Sequence, residues 1–170
     1  MDFLTFAKDR YSCRALSDRP VEPEKLERIL AAALAAPTAC NNQPFRVWVL
    51  QSPDALEKAS HATRFTFGAP VILAVGGLPS EAWVRPFDGR NFAGVDAAIV
   101  ATHLMLATHA EGLGTTWIGY FDAGQLKADF PEMAPYDMIA LFPIGYPAPD
   151  AAPAKGHFAC RPESQLIGRL

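Results

Sequence analysis

Cysteine is scarce. Cys13, Cys40 and Cys160 are the only three, odd in number and far apart, which suits neither a disulfide framework nor a four-thiolate zinc site. A reducing, cytoplasmic setting is the expectation. Charge is thin as well: 19% of the 170 residues are charged, with 15 Lys and Arg against 18 Asp and Glu for a net charge of -3. Affinity for phosphate backbones comes from clustered Lys and Arg, and no cluster is present, so no nucleic-acid partner is expected. Long apolar runs are missing too. Residues 29–37 and 97–100 form the apolar runs, and both fall well short of the roughly 20 residues needed to cross a bilayer. The first ten residues scatter charges through what would be the apolar part of a signal peptide, so neither export nor membrane association is expected.

The usual signatures of side-chain catalysis are also lacking. His103 and His109 are six apart, which puts them on different sides of a helix, unlike the i, i+4 pair of a helical zinc site. No metal site is expected. Cys40 sits in no local pattern of a thiol nucleophile. Glu22, Glu24 and Glu27 suit a solvated helix face. Gly112-Leu113-Gly114-Thr115-Thr116-Trp117-Ile118-Gly119 has the spacing of neither a dinucleotide fingerprint nor a Walker loop. Gly112 and Gly114 are accounted for by helix termination, whereas Gly119 could let a flat ligand approach the backbone.

What is present is apolar material. Half of the residues are hydrophobic and mean hydropathy is +0.07, more than one small core readily hides. A subunit interface or an internal ligand is expected to take up the excess. Length and uniform composition predict a single domain over residues 1–170.

Helices and strands alternate along the chain. Helical spacing predicts a short helix over residues 2–9, followed by an extended strip over 10–14. Pro23 opens the clearest helix, with Leu26, Ile29, Leu30, Ala33 and Leu34 on one face, and Pro37 ends it. Residues 45–50 and 71–75 read as strands, with Gly76-Gly77 breaking the second. Between them Ser52-Pro53-Asp54 caps a helix to about His61. A nearly all-round apolar helix runs from Phe92 or Gly94 to Ala110, the kind that lies in the middle of a structure. Residues 115–119 are expected to be extended, Asp122 caps a helix to Phe130, and 138–144 is a further strand. Residues 147–154 read as a linker to a C-terminal arm, and 80–91 show no periodicity. The class is α/β or α+β around one sheet.

Two constellations stand out. In an extended strip Arg10, Ser12 and Arg14 share one face, and two guanidinium forks with a hydroxyl can hold a phosphate. The alternative is that these arginines only complement the C-terminal dipole of the preceding helix. Between Pro37 and Pro44 the carboxamides of Asn41, Asn42 and Gln43 offer donors and acceptors suited to a heterocycle edge, or are ordinary turn residues.

Taken in order, Arg10-Tyr11-Ser12-Cys13-Arg14, Ala36-Pro37-Thr38-Ala39-Cys40-Asn41-Asn42-Gln43-Pro44-Phe45, Asp96 with its apolar helix running into residues 112–119, Phe142-Pro143-Ile144-Gly145-Tyr146-Pro147 and Arg161-Pro162 resemble the FMN-dependent nitroreductase family over essentially the whole chain. The resemblance implies an α+β fold with a central mixed sheet flanked by helices. It also implies a homodimer with two FMN molecules at the interface, which fits the apolar surplus. Carried over by position, Arg10, Ser12 and Arg161 would bind the FMN phosphate. Arg14 would lie beside the ring, where a fixed positive charge stabilises the reduced flavin anion. Pro37, Thr38, Ala39 and Asn41 would contact the ring and ribityl chain, with Gln43 nearby. Gly119 would offer its N–H to the ring, and Trp117 and Ile118 would line its other side. The chemistry implied is ping-pong electron transfer from NADH or NADPH through FMN to a small organic acceptor such as a nitroaromatic or quinone, with no side-chain acid, base or nucleophile. Other flavin chemistry on the same fold (dehalogenation, flavin fragmentation or ring oxidation) and a flavin-binding module without turnover are the alternatives. Segment 61–66, where larger family members offer further flavin contacts, is not matched, and the substrate-covering segment 83–92 is the one most divergent in the family, so the resemblance leaves the substrate open.

Overall fold

The computed structural model describes residues 2–170. Four strands, β1 (Phe45–Leu50), β2 (Val71–Gly77), β3 (Gly114–Thr115) and β4 (Asp137–Gly145), form one sheet in the order β1-β2-β4-β3. Its three ladders are antiparallel. The parallel component of the expected mixed sheet is a single bridge, Ser12 with Thr115, where the strip after the first helix runs beside β3. Every residue of β2 is buried, as befits a central strand covered on both faces.

Alternation along β2 and β4 divides the core. Val71, Leu73 and Val75 with Ala140, Phe142 and Ile144 pack under α2 (Pro23–Leu34) and α4 (Ala93–Ala110). Ile72, Ala74 and Leu141 face the other way, toward α3 (Pro53–Ala62) and α5 (Ala123–Asp129). The helix ends follow local chemistry. Asp2 caps α1 (Phe3–Asp9), accepting from Thr5 N at 3.0 Å; Ser52 and Asp122 do the same for α3 and α5. Gly112, at φ +72°, ends α4.

One expectation needs correction. Gly76 and Gly77 do not break β2; the strand continues through both, with a bulge between Val75 and Gly76. A Cβ on Gly77 would lie 2.4 Å from the Ala93 carbonyl oxygen, so the glycine admits the start of α4 against the strand. Residues 115–119, expected to be extended, pair with the sheet at both Thr115 and Ile118. Regular pairing stops at Thr115 and resumes only at Ile118, which exchanges two hydrogen bonds with Leu141. The aperiodic stretch before α4 is a small turn closed by a Val84–Asn91 bridge, an Arg85–Asp88 ion pair and edge-on packing of Trp83 against Phe92. Beyond β4 the chain leaves as an arm carrying a 3-10 turn (Lys155–Phe158) and α6 (Glu163–Leu166).

Candidate functional site

The strip after α1 is pinned to β3. Cys13 N donates to Thr115 O at 2.9 Å and its side chain is buried. Gly114 permits this approach, since a Cβ there would stand 2.8 Å from Cys13 Sγ; close contact, not helix termination, explains that glycine. With Cys13 turned inward, its neighbours turn outward. Arg10, Ser12 and Arg14 line a pocket of about 370 Å³, closed on its far side by Ala154, Gly156 and His157. No acidic residue lines it, and among the described residues neither arginine is paired with a carboxylate. Burial and the adjacent Cys13 push the Tyr11 phenol up, so it adds no negative charge. Two unpaired guanidinium groups and a hydroxyl in one cavity are an anion site by composition.

Arg14 also borders a second cleft, of about 240 Å³, formed by Phe65, Phe67 and residues 116–120. Trp117 is 37% exposed and leans edge-on against Phe142 at 5.2 Å. Ile118 turns its side chain into the core while its backbone passes the cleft. At Gly119 nothing lies within 4 Å of a Cβ position, so a ligand can reach the backbone there. The 61–67 segment is held against this run by Thr63 Oγ1, which donates to Tyr120 O at 2.7 Å, and by Phe65 edge-on to Tyr120.

The 37–43 loop is a strained, self-bonded unit. Cys40, Asn41 and Gln43 all have φ near +50° (53°, 56° and 53°), unusual for residues with side chains. Local bonds fix it: Gln43 N donates to Thr38 Oγ1, Gln43 Nε2 to Asn41 Oδ1 and Asn42 Nδ2 to Glu81 O. Its anchor is Asp96, 1% exposed in the first turn of α4, whose Oδ1 accepts from Ala39 N at 2.9 Å. Of the three carboxamides, Asn42 is thereby committed to structure. The exposed Asn41 and Gln43 keep free polar atoms for a partner.

The structure does not bring this loop to the anion pocket within one chain. Asp96 fixes the loop at the start of α4. Arg10 lies beside His109 at the helix's other end, where burial and then the Arg10 charge pull the imidazole below its ordinary value. Asp96 and His109 are separated by about 20 Å of helix. Arg161 is exposed and lines neither cavity. Phe65, Phe67, Tyr120 and His157 escaped the sequence reading. The i, i+2 aromatics of 65 and 67 were a faint signal, and His157 gave none.

Fold and site define a class: an α+β protein with a cationic, acid-free pocket and an aromatic cleft that share Arg14 in their walls, a pairing suited to a flat ligand bearing a phosphate. The chain belongs to the Nitroreductase family, whose sequence profile matches residues 7–64 and 57–146. A Methanothermobacter thermautotrophicus relative named for NADH dehydrogenase or NAD(P)H nitroreductase activity is 30% identical over 158 residues, covering 87% of this chain and 78% of the relative. A nitroreductase family protein from Clostridium difficile 630 superposes with a TM-score of 0.90 at 35% identity, over 99% of this chain and 98% of that one. A nitroreductase-like protein of Desulfovibrio desulfuricans, solved in complex with FMN, superposes with a TM-score of 0.81 at 26% identity, over 100% and 97%. Among the described residues no helix is long and apolar enough to cross a membrane.

Proposed function

We propose that this chain is an FMN-dependent oxidoreductase that carries electrons from NADH or NADPH to a small organic acceptor, a nitroaromatic or a quinone, by a ping-pong mechanism. The observation that carries the reading is Arg14, shared between the acid-free pocket of Arg10 and Ser12 and the aromatic cleft ending at open Gly119. FMN fits that arrangement, with its phosphate between Arg10 and Ser12 and its ring in the cleft. Bound there, FMN supplies hydride and electron transfer.

The chain's own residues bind, orient and tune. Arg10 and Ser12 hold the phosphate through charge-assisted hydrogen bonds. Arg14 places a permanent positive charge where the two cavities meet and so favours the reduced, anionic form of the ring. Trp117, Phe65 and Phe67 supply apolar walls that limit water. No side chain need donate or abstract a proton.

The 37–43 loop enters through a second copy of the chain. Its distance from the pocket along α4 prevents it from serving the same site in its own protomer. A groove of about 520 Å³ along the outer face of α4, lined by Gly94, Val95, Ala98, Ile99 and Thr102 together with Arg90 and Asn91 just before the helix, offers a face for that copy. Homodimerisation would then complete each site with Pro37, Thr38, Ala39, Asn41 and Gln43 of the other protomer. The deciding experiment is spectroscopic. Purified protein reconstituted with FMN should show bound-flavin absorbance that NADH or NADPH bleaches anaerobically. A nitroaromatic or quinone added after the donor is removed should restore it. Protein that takes up no FMN overturns the reading. Bleaching no faster than that of free FMN reduces it to a binding module.

A further inference from the structure

The C-terminal arm is exposed almost throughout. From residue 152 to residue 170 a single residue, His157, is not exposed. The arm is led back over the 10–14 strip by its root: Leu16 bridges Pro147, and Ala148 N donates to Ala15 O at 3.0 Å. The 3-10 turn then closes through His157 N to Ala154 O at 2.8 Å and Ala159 N to Gly156 O at 3.2 Å. This delivers the His157 ring to the pocket of Arg10, Ser12 and Arg14. There it is clasped edge-on by Tyr11, with ring centroids 6.4 Å apart, and by Phe158 at 4.9 Å. Gly156 beside it brings no side chain, which leaves the pocket mouth to the imidazole. Arg161, the arm's expected phosphate ligand, stays outside.

We propose that His157 is the arm's ligand for the phosphate monoester of the cofactor, completing the set begun by Arg10, Ser12 and Arg14 and taking the place that position suggests for Arg161. The inference rests on the FMN reading above and deepens it. An imidazole in either tautomer has one ring N–H to donate, and a hydrogen bond to a charged phosphate is stronger than one between neutral groups. The clasp by Tyr11 and Phe158 holds the ring in place before the ligand arrives, which lowers the ordering cost of binding. Because its partner is the phosphate, His157 discriminates FMN from riboflavin, which has the same ring and no phosphate.

The test compares dissociation constants for FMN and riboflavin, read by quenching of flavin fluorescence, in the full chain and in His157→Ala, His157→Gln, Arg161→Ala and Arg10→Ala. Loss of one charge-assisted hydrogen bond should weaken FMN binding about tenfold in His157→Ala, with riboflavin affinity unchanged. His157→Gln, which keeps a donor, should recover part of the loss, and Arg161→Ala should bind FMN as the parent does. Thermal midpoints recorded for all variants show whether any has lost its fold. The proposal is overturned if Arg161→Ala weakens FMN while His157→Ala does not. It is also overturned if His157→Ala weakens FMN and riboflavin equally, since the ring would then be packing the arm and not touching the phosphate. Failure of the underlying reading looks different: Arg10→Ala would leave the preference for FMN over riboflavin intact, and the phosphate would not sit in this pocket at all.

Discussion

Arg14 belongs to two cavities at once, and its side chain is exposed and unpaired except for a long 3.4 Å contact from Nη1 to Ser12 O. A guanidinium held so loosely by its own chain remains available to a ligand. Replacing it should act on both affinity and electronics. Arg14→Ala is expected to weaken FMN retention by about tenfold or more. It should also lower the midpoint potential by on the order of 30 mV, equivalent to about a tenfold change for a two-electron couple. Flavin content after gel filtration and a dye-equilibrated reductive titration measure the two effects, and unchanged values of both would remove Arg14 from the site. Arg10, Ser12 and Arg14 could be read from sequence because a period of two in an extended strip is a local property. His157, Phe65 and Phe67 could not, because what brings them to the site is tertiary: the Leu16–Pro147 bridge for the arm and the Thr63–Tyr120 bond for the aromatics.

Between elements, the join of the end of β4 to the start of α2 is polar. Tyr146, just after β4, donates its hydroxyl to Glu22 Oε2 at 2.6 Å at the mouth of α2, while Arg19 pairs with Glu22 Oε1 and lies 3.8 Å over the Tyr146 ring. The Tyr146 hydroxyl first, then backbone and Arg19, hold the Glu22 carboxyl at about 2, well below its ordinary 4.5. A carboxylate depressed in the folded state contributes stability above its unfolded value and loses it as pH falls through the folded one. This contribution is therefore complete above about pH 5 and fades toward pH 2. Tyr146→Phe keeps the ring under Arg19 but returns Glu22 toward 4.5. The deficit in its thermal midpoint should be largest near pH 6 and shrink by about pH 3. A deficit constant across that range would assign the loss to packing. The elements themselves were largely legible, since caps at Ser52 and Asp122 and prolines at Pro23 and Pro53 are local signals. Gly76 and Gly77 misled because glycine marks a turn and a close approach alike. Only the position of Ala93 against the strand distinguishes them.

At the scale of the molecule, the apolar surplus of the composition is spread over the surface, with Phe3, Leu4, Leu34, Phe87 and Phe158 exposed, and α4 adds a half-buried outer side. One side of that helix, through Ala97, Val100, Ala101 and Leu104, is buried in the core. The opposite side leaves Gly94, Val95, Ala98 and Ile99 along an open groove whose ends are polar, with Arg90, Asn91 and Thr102. Composition announces such a surplus but cannot say which face carries it, because α4 is apolar nearly all round and has no polar stripe to mark its outside. The same helix separates the strained 37–43 loop from the anion pocket, and in the proposed homodimer the two are brought together by the second chain. In that arrangement association and cofactor binding are one linked equilibrium: ligand that binds only the dimer stabilises the dimer. Ala98→Arg sets a long charged side chain in the middle of the groove without touching Arg10, Ser12, Arg14 or the loop. It should convert the proposed dimer to a monomer by sedimentation or light scattering. FMN affinity should fall with it by about tenfold or more, since the proposed contacts from the 37–43 loop leave with the partner. Raising protein concentration in the presence of excess FMN should recover some dimer, whereas a monomeric variant that kept the parent's FMN affinity would place the whole site within one chain.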